Sequence, residues 1–332
     1  MKIKIGEATN LSNQILLKLG FSEHEASLIT KNIIDGELVG KKSHGLIRVL
    51  HVQQGIKSSN VNVTGEIEIL KNTDNQLHID GKNKPGFIVC YESLEMAIEK
   101  ARKSGFVMVG LKDLGVTGYI GSYARIAAEA DLIFIGFNNS PGGLVPHGST
   151  EAIWGTNPLT IGVPTDKSPA ILDMASSMTT WGNLMVSKNE GKKIKEGVAI
   201  DGDGKVTTDP EKAMKGGILP VGGHKGSGIA FMVEMLAGAL TGSMVGGAVE
   251  GGWGSFYILI NPESFRSIDE FKKDAGLAIK KLKESKKMHG VEEIYFPGER
   301  SHKIRQKNLE LGTIDVSEKL YNQLSEMLDS AN

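Results

Sequence analysis

The chain has 332 residues, 40% of them hydrophobic, with 38 Lys plus Arg against 39 Asp plus Glu and a formal net charge of -1. That length exceeds one ordinary core, so two domains are expected, and the near-neutral balance gives no electrostatic case for nucleic acid or an anionic membrane. A single cysteine, Cys90, excludes an intrachain disulfide and a cysteine-based zinc site, and no metal centre is expected.

The N-terminal run from Met1 to Glu7 lacks the apolar core of a signal peptide, and no apolar stretch reaches about 18 residues. A soluble cytoplasmic protein acting on a small molecule is the expectation. The first sixty residues read as helices. Ser22-Glu23-His24-Glu25 has the form of a capping box, and Ala26, Ile29, Ile33 and Leu38 follow at near-helical spacing. Within this region Ser43-His44-Gly45-Leu46-Ile47-Arg48 places an imidazole four residues from a guanidinium. If the segment is helical, the two share one face. Arg grips a carboxylate with a planar fork and His exchanges a proton near neutrality, so Arg48 would hold a 2-oxo acid while His44 protonates its carbonyl. A solvated face or a cap contact has the same spacing, and the hexapeptide leaves both open.

Asn60-Val61-Asn62-Val63 and Glu66-Ile67-Glu68-Ile69 alternate with the period of a half-buried strand, which marks a change of architecture. Strands are then expected at Leu77 to Ile79, Phe106 to Leu111, Leu132 to Phe137, Leu159 to Val163, Ala170 to Met174 and Phe256 to Ile260. Helices are expected at Tyr91 to Lys103, Ser122 to Ala130, Gly228 to Leu240, Ile268 to Lys283 and Val316 to Leu328. Cys90, in the apolar run Gly86 to Cys90, reads as a packed small hydrophobe. This is a mixed α/β (α+β) pattern. Residues 1–72 and 262–332 are expected to form one discontinuous helical domain around an α/β domain at 73–261, which holds a central mixed sheet.

No G-x-G-x-x-G joins a first strand to a helix, so a Rossmann fingerprint is absent. Asp201-Gly202-Asp203-Gly204 lacks the spacing and the terminal Glu of an EF-hand and reads as a hairpin turn. Leu219 to Gly228 is a better anion candidate. Its glycines let backbone approach a phosphate, Lys225 adds a charge, and a helix N-terminus follows. A glycine-rich turn with a solvent lysine is the alternative. Gly155-Thr156-Asn157-Pro158 enters a strand with groups suited to an amide or ribose, or simply to a capped turn. Asp173-Met174-Ala175-Ser176-Ser177 leaves a strand into an expected helix, which Asp173 or a serine would cap.

Ser43-His44-Gly45 with Arg48, Gly155-Thr156-Asn157-Pro158, Asp173-Met174-Ala175, the Leu219 to Gly228 run and Pro297-Gly298-Glu299-Arg300 together resemble the malate/L-lactate dehydrogenase family of the non-Rossmann type. Ureidoglycolate dehydrogenase, diketogulonate reductase, sulfolactate dehydrogenase and piperideine-carboxylate reductase belong to that family, and the resemblance covers nearly the whole chain. It implies an oxidoreductase using NAD or NADP, assembled as a homodimer or higher oligomer with sites near subunit boundaries. His44 would be the catalytic acid/base, with Arg48 and Ser43 binding substrate. The dinucleotide would meet Thr156, Asn157, Asp173, Met174, Ala175, Ser176, His224, Lys225, Gly226, Gly298, Glu299 and Arg300.

Two departures stand out. Relatives often carry a second histidine in an Asn-Ser-x-His-x-Gly motif, where this chain has Val116, and a tyrosine four positions after the arginine, where it has Val52 beside His51. Proton transfer then rests mainly on His44, with His147 and His224 the imidazoles to inspect as replacements. Three readings follow: a 2-oxo/2-hydroxy acid dehydrogenase, a reductase of cyclic imine carboxylates, or a dinucleotide-binding protein without turnover.

Overall fold

A computed structural model describes residues 1–58, 60–247 and 252–329. The chain opens with strand β1 (Lys2–Lys4) and helices α1 (Ile5–Lys18) and α2 (Glu23–Leu38), followed by a 3-10 turn at Lys42–His44 and helix α3 (Ile47–Lys57). Next come β2 (Glu68–Asn72), β3 (Gln76–Asp80), α4 (Gly86–Ser104), β4 (Phe106–Leu114), α5 (Ile120–Glu129), β5 (Ile133–Asn138), β6 (Leu159–Val163) and β7 (Ala170–Met174). Smaller elements follow as α6 (Trp181–Asn189), β8 (Ala199–Ile200), α7 (Pro210–Ala213), β9 (Gly217–Ile218) and α8 (His224–Val233), which runs into a π-helical segment at Glu234–Ala239. The chain then crosses β10 (Trp253–Ile260), α9 (Ile268–Glu284), α10 (Glu299–Leu311), β11 (Thr313–Asp315) and α11 (Glu318–Asp329).

Seven strands form one mixed sheet in the order β2-β3-β4-β10-β5-β6-β7, in which only β3 and β4 run parallel. Alternation explains the middle of it. Val107, Val109 and Leu111 turn inward from β4 and meet Leu94, Ala97 and Ala101 of α4, while Ala124 and Ala127 of α5 cover the neighbouring strands. Each such fully buried Val, Ile or Leu contributes roughly 1.5–3 kcal/mol of transfer free energy.

A second core joins the two ends of the chain. Ile3, Ile15, Ile29, Ile33 and Val49 pack with Ile314, Val316 and Leu324, and Phe87 and Ile88 of α4 reach in from the sheet side. β1 pairs with β11 so that Ile3 faces Ile314. The capping box forms as expected, with Ser22 Oγ accepting from the Glu25 N–H and the Glu25 carboxylate accepting from the Ser22 N–H at 3.0 Å. Helix α9 contributes nothing to this core and is tied instead to the loop before β5 by Lys272 and Asp131 at 2.6 Å.

Several local expectations are corrected. Lys2–Lys4 is a strand because its distant partner β11, Thr313–Asp315, supplies the hydrogen bonds. Residues 60–63 are irregular: Val61 and Val63 pack on the second core while Asn62 turns the chain by accepting from the Gly65 N–H, and the strand starts only at Glu68. Helix α10 was not anticipated, since its exposed, polar sequence carries no apolar stripe to announce it. The Asp201–Gly204 turn is as expected, held by the Asp201 carboxylate on the Asp203 and Lys205 N–H groups. Cys90 is buried in the first core, where burial pushes its thiol up to about 12.

Candidate active site

His44 and Arg48 do not share a helix. The 3-10 turn carrying His44 ends at Gly45, and Arg48 lies in the first turn of α3. Tertiary packing requires this break. The Glu37 carboxylate, 1% exposed, accepts from the Leu46 N–H at 2.8 Å and from Lys42 Nζ at 2.8 Å, so it lies directly against Gly45. A Cβ on Gly45 would stand 2.0 Å from Glu37 Oε1, and one on Gly36 of α2 would stand 2.5 Å from the His44 carbonyl oxygen. Glycine at both positions lets the turn close on α2 and brings His44 beside the guanidinium by a different route from the one the spacing implied.

The site is cationic. Arg48 has no acidic partner among the described residues: one terminal nitrogen meets His51 Nδ1 at 3.4 Å, and its buried Nε has no hydrogen-bond partner. Burial brings its guanidinium down to about 10. His51 is held down to about 4 by burial and by Arg48, so it is neutral at pH 7 and can accept from the guanidinium. His44 is held well below its ordinary range, first by burial and then by the charges of Arg48 and Lys41 and by His51. Its Nδ1 lies 3.1 Å from the Ser43 hydroxyl. Val52 is not in the site at all, being 2% exposed within the second core, and Val116 packs against that core. His51 is therefore the second imidazole of this region. His147 and His224 are exposed, and their rings pair with each other at 6.1 Å.

The segments suggested for the dinucleotide converge on the ends of β6 and β7. Asn157 is fully buried at a positive φ of 37°, and its amide donates to the Ala230 carbonyl at 3.1 Å and to Glu234 Oε1 at 2.7 Å. Its Oδ1 has no partner among the described residues. The Ser176 N–H donates to the Thr156 carbonyl at 2.9 Å, and the Ser176 hydroxyl donates to the Asn157 carbonyl. A Cβ at Gly226 would lie 2.4 Å from the Val221 carbonyl and 2.5 Å from that of Ser176, which explains the glycine and seats α8 against this corner. Helix α8 begins at His224, earlier than Gly228. Its Lys225 and Gly226 N–H groups are already taken by the Gly222 and Val221 carbonyls, so an anion here would rely on side chains more than on free amides. Lys225 is exposed and has no ion-pair partner among the described residues.

Asp173 caps no helix. It sits in β7, and α6 is capped by Thr180 instead. Asp173 Oδ1 accepts from the Thr160 hydroxyl at 3.1 Å and Oδ2 accepts from Lys41 Nζ at 2.5 Å. Met174 and Ala175 continue from it, half-buried. Next to Asp173 lies a cavity of about 350 Å³ whose walls include Lys41, Tyr119, Arg125, Gly298 and Arg305. Gly298 reaches it at a φ of 87°, because Pro297 accepts from the Ile171 N–H at 2.9 Å and fastens the loop to the edge strand β7. Glu299 faces elsewhere, since its carboxylate takes Lys283 Nζ at 2.7 Å, and exposed Arg300 lies over the Tyr295 ring at 5.1 Å. Lys41, Tyr119 and Glu234 were not anticipated. Only the fold shows that a lysine next to Ser-His-Gly meets an aspartate 132 residues later.

Comparison with known proteins places these features in context. A sequence profile described as malate/L-lactate dehydrogenase matches residues 3–325. The chain is 35% identical to a malate/(S)-sulfolactate dehydrogenase of Methanothermus fervidus, over 100% of this chain and 98% of that protein. Among solved structures it is similar to the sulfolactate dehydrogenase of Methanocaldococcus jannaschii (TM-score 0.91, 34% identity, 100% of this chain and 97% of that one). It is also similar to a malate dehydrogenase of Entamoeba histolytica (TM-score 0.95, 29% identity, 100% and 98%). Further relatives include an NAD(+)-dependent ureidoglycolate dehydrogenase and an NADP(+)-dependent (2R)-3-sulfolactate dehydrogenase.

Proposed function

Because the chain belongs to the malate/L-lactate dehydrogenase family, and so is an NAD(P)-dependent dehydrogenase of small 2-hydroxy acids, we propose that His44 is its acid/base and Arg48 its carboxylate clamp. The carrying observation is the Arg48 guanidinium, sunk beside His44 with no acid among the described residues to neutralise it. A substrate carboxylate supplies that missing charge through a bidentate pair. The Ser43 hydroxyl occupies His44 Nδ1 and leaves Nε2 for the substrate oxygen. In oxidation, neutral His44 takes the hydroxyl proton at Nε2; in reduction it returns that proton to the carbonyl oxygen.

The residues present fit a dinucleotide: a cavity between Asp173 and Gly298, the exposed Lys225 with no ion-pair partner among the described residues, and a buried Asn157 oxygen that no described donor reaches. When bound, the nicotinamide supplies or accepts the hydride. Lys225 and His224 would hold its phosphates, Thr156, Asn157 and the Asp173 to Ser176 segment its polar groups, and Gly298 a wall of its pocket. Glu299 and Arg300 then act by shaping the loop that presents Gly298.

The same proposal includes a helical unit built from residues 1–72 and 262–332, except that β2 joins the α/β sheet by pairing with β3 and α9 leans on the α/β part, and a cytoplasmic setting where nicotinamide cofactors are pooled. Among the described residues, no helix is long and apolar enough to cross a membrane. A homodimer or higher oligomer would cover the exposed Met178, Trp181, Phe231 and Met232 around α6 and α8. One observation favours a second substrate class: with Val116 packed against the second core and His44 held neutral, a cyclic imine carboxylate, which carries its own proton, asks less of the acid.

Purified protein with NADH or NADPH, assayed against oxaloacetate, sulfopyruvate, pyruvate and a cyclic imine carboxylate, tests the reading. Turnover of at least one oxo acid is expected, with His44→Gln lowering kcat by about 100-fold or more. An unchanged kcat in His44→Gln would remove His44 from the chemistry.

A further inference from the structure

We propose that Lys41 is a positioning residue which, through Asp173, ties the strand expected to meet the cofactor to the turn that carries the acid/base. This rests on the reading of His44 given above. Lys41 makes two connections from one residue. Its carbonyl accepts the His44 N–H at 2.8 Å and so forms the 3-10 turn, while its Nζ reaches Asp173 Oδ2 in β7 and lies 4.7 Å from the centre of the Tyr119 ring. Tyr119 is itself fixed, because Asn32 of α2 accepts from its N–H at 2.7 Å and donates to its carbonyl at 3.1 Å. The ammonium is thus held on one side by an aromatic face and on the other by a carboxylate whose second oxygen is occupied by Thr160.

Thr160 engages one oxygen of Asp173 and Lys41 the other, so this carboxylate anchors β7 to the turn and offers a bound cofactor only its remaining lone pairs. The Lys41–Asp173 pair thereby links the segment that begins at Asp173 to the His44 turn. The electrostatics point the same way. The groups bearing on His44 are Arg48 and His51 from α3 and Lys41 from its own turn, while Glu37 of α2 is spent below the turn on Lys42 and the Leu46 N–H. Asp173 is the acid that balances Lys41.

Lys41→Met removes a cation near His44 and leaves Asp173 unbalanced, so both changes favour the imidazolium. In ligand-free protein labelled at histidine Cε1, with the resonance assigned through His44→Gln, the His44 titration midpoint should rise by about one pH unit in Lys41→Met. Lys41→Arg should restore it. In the oxidation of the best hydroxy acid, the acidic limb of kcat should move up with it, and the Kd for NADH or NADPH should rise about fivefold as β7 loses its anchor. A lysine that served stability alone would lower Tm and leave the His44 midpoint in place. An unmoved midpoint overturns the tie. A midpoint that moves while the limb of kcat stays still overturns His44 as the acid/base, and a moved midpoint with an unchanged cofactor Kd overturns the tie to β7. If Lys41→Met does not fold, Lys41→Gln carries the same measurements.

Discussion

Replacing Arg48 by methionine should make the ligand-free protein slightly more stable and the enzyme much worse at holding its substrate. Burial holds the guanidinium at about 10 against an ordinary 12.5, a gap that corresponds to roughly 3 kcal/mol against the charged form. The side chain is only half-buried by surface, so water screens part of this, and about 1–2 kcal/mol is the cost to expect at neutral pH. Because the folded-state value is the lower one, that cost is fully present at pH 7 and fades only as the pH rises through about 10. Methionine keeps the aliphatic stem and discards the charge, so Tm should rise by about 1.5–3 °C for a chain of this size. A bidentate charged pair with the substrate carboxylate contributes about 2–3 kcal/mol, so KM for the best 2-oxo acid should rise roughly 30- to 200-fold. Thermal unfolding without ligand and steady-state kinetics at saturating reduced cofactor measure the two effects. A lower Tm with an unchanged KM would identify Arg48 as a structural residue and refute the clamp.

The acidic limb of kcat/KM for hydroxy-acid oxidation should lie well below pH 6.5, since His44 stays neutral and able to accept a proton there; a limb centred near 6.5 would contradict the burial and the cationic surroundings. His51, held at about 4, binds its proton first in the unfolded chain, so unfolding free energy should decline as pH falls from 6.5 toward 4, and His51→Gln should flatten that slope in urea titrations. Gly45→Ala drives a methyl group into the Glu37 carboxylate and should cost about 2–4 kcal/mol together with most of kcat; wild-type Tm and kcat would show that the turn can relax. Lys225→Met should weaken NADH or NADPH about fivefold and reduce the salt dependence of binding, and a titration identical to wild type would take Lys225 out of the cofactor site.

What was legible in the sequence followed from local rules. The capping box at Ser22, the inward faces of β4 and α4, the Asp201 turn and the absence of a Rossmann fingerprint all depend on residues within one or two turns of each other. The set of short motifs carried the family as well, because their order along the chain is itself a sequence property.

Tertiary structure decided the rest. β10 enters the centre of the sheet between β4 and β5, which come more than a hundred residues earlier in the chain, and pairs with both along its two hydrogen-bonding edges. Gly45 breaks the helix that the His44 to Arg48 spacing implied, since Glu37 of α2 occupies the space a Cβ needs. Asp173 exchanged the cap suggested by its neighbours for an ion pair with Lys41, and Val52 left the site for the core while His51 took its place beside Arg48. Each outcome is a contact between residues far apart in the chain or on different elements. The sequence determined which groups were available for the chemistry, and long-range packing determined which of them meet, because burial and charge pairing are properties of neighbours in space.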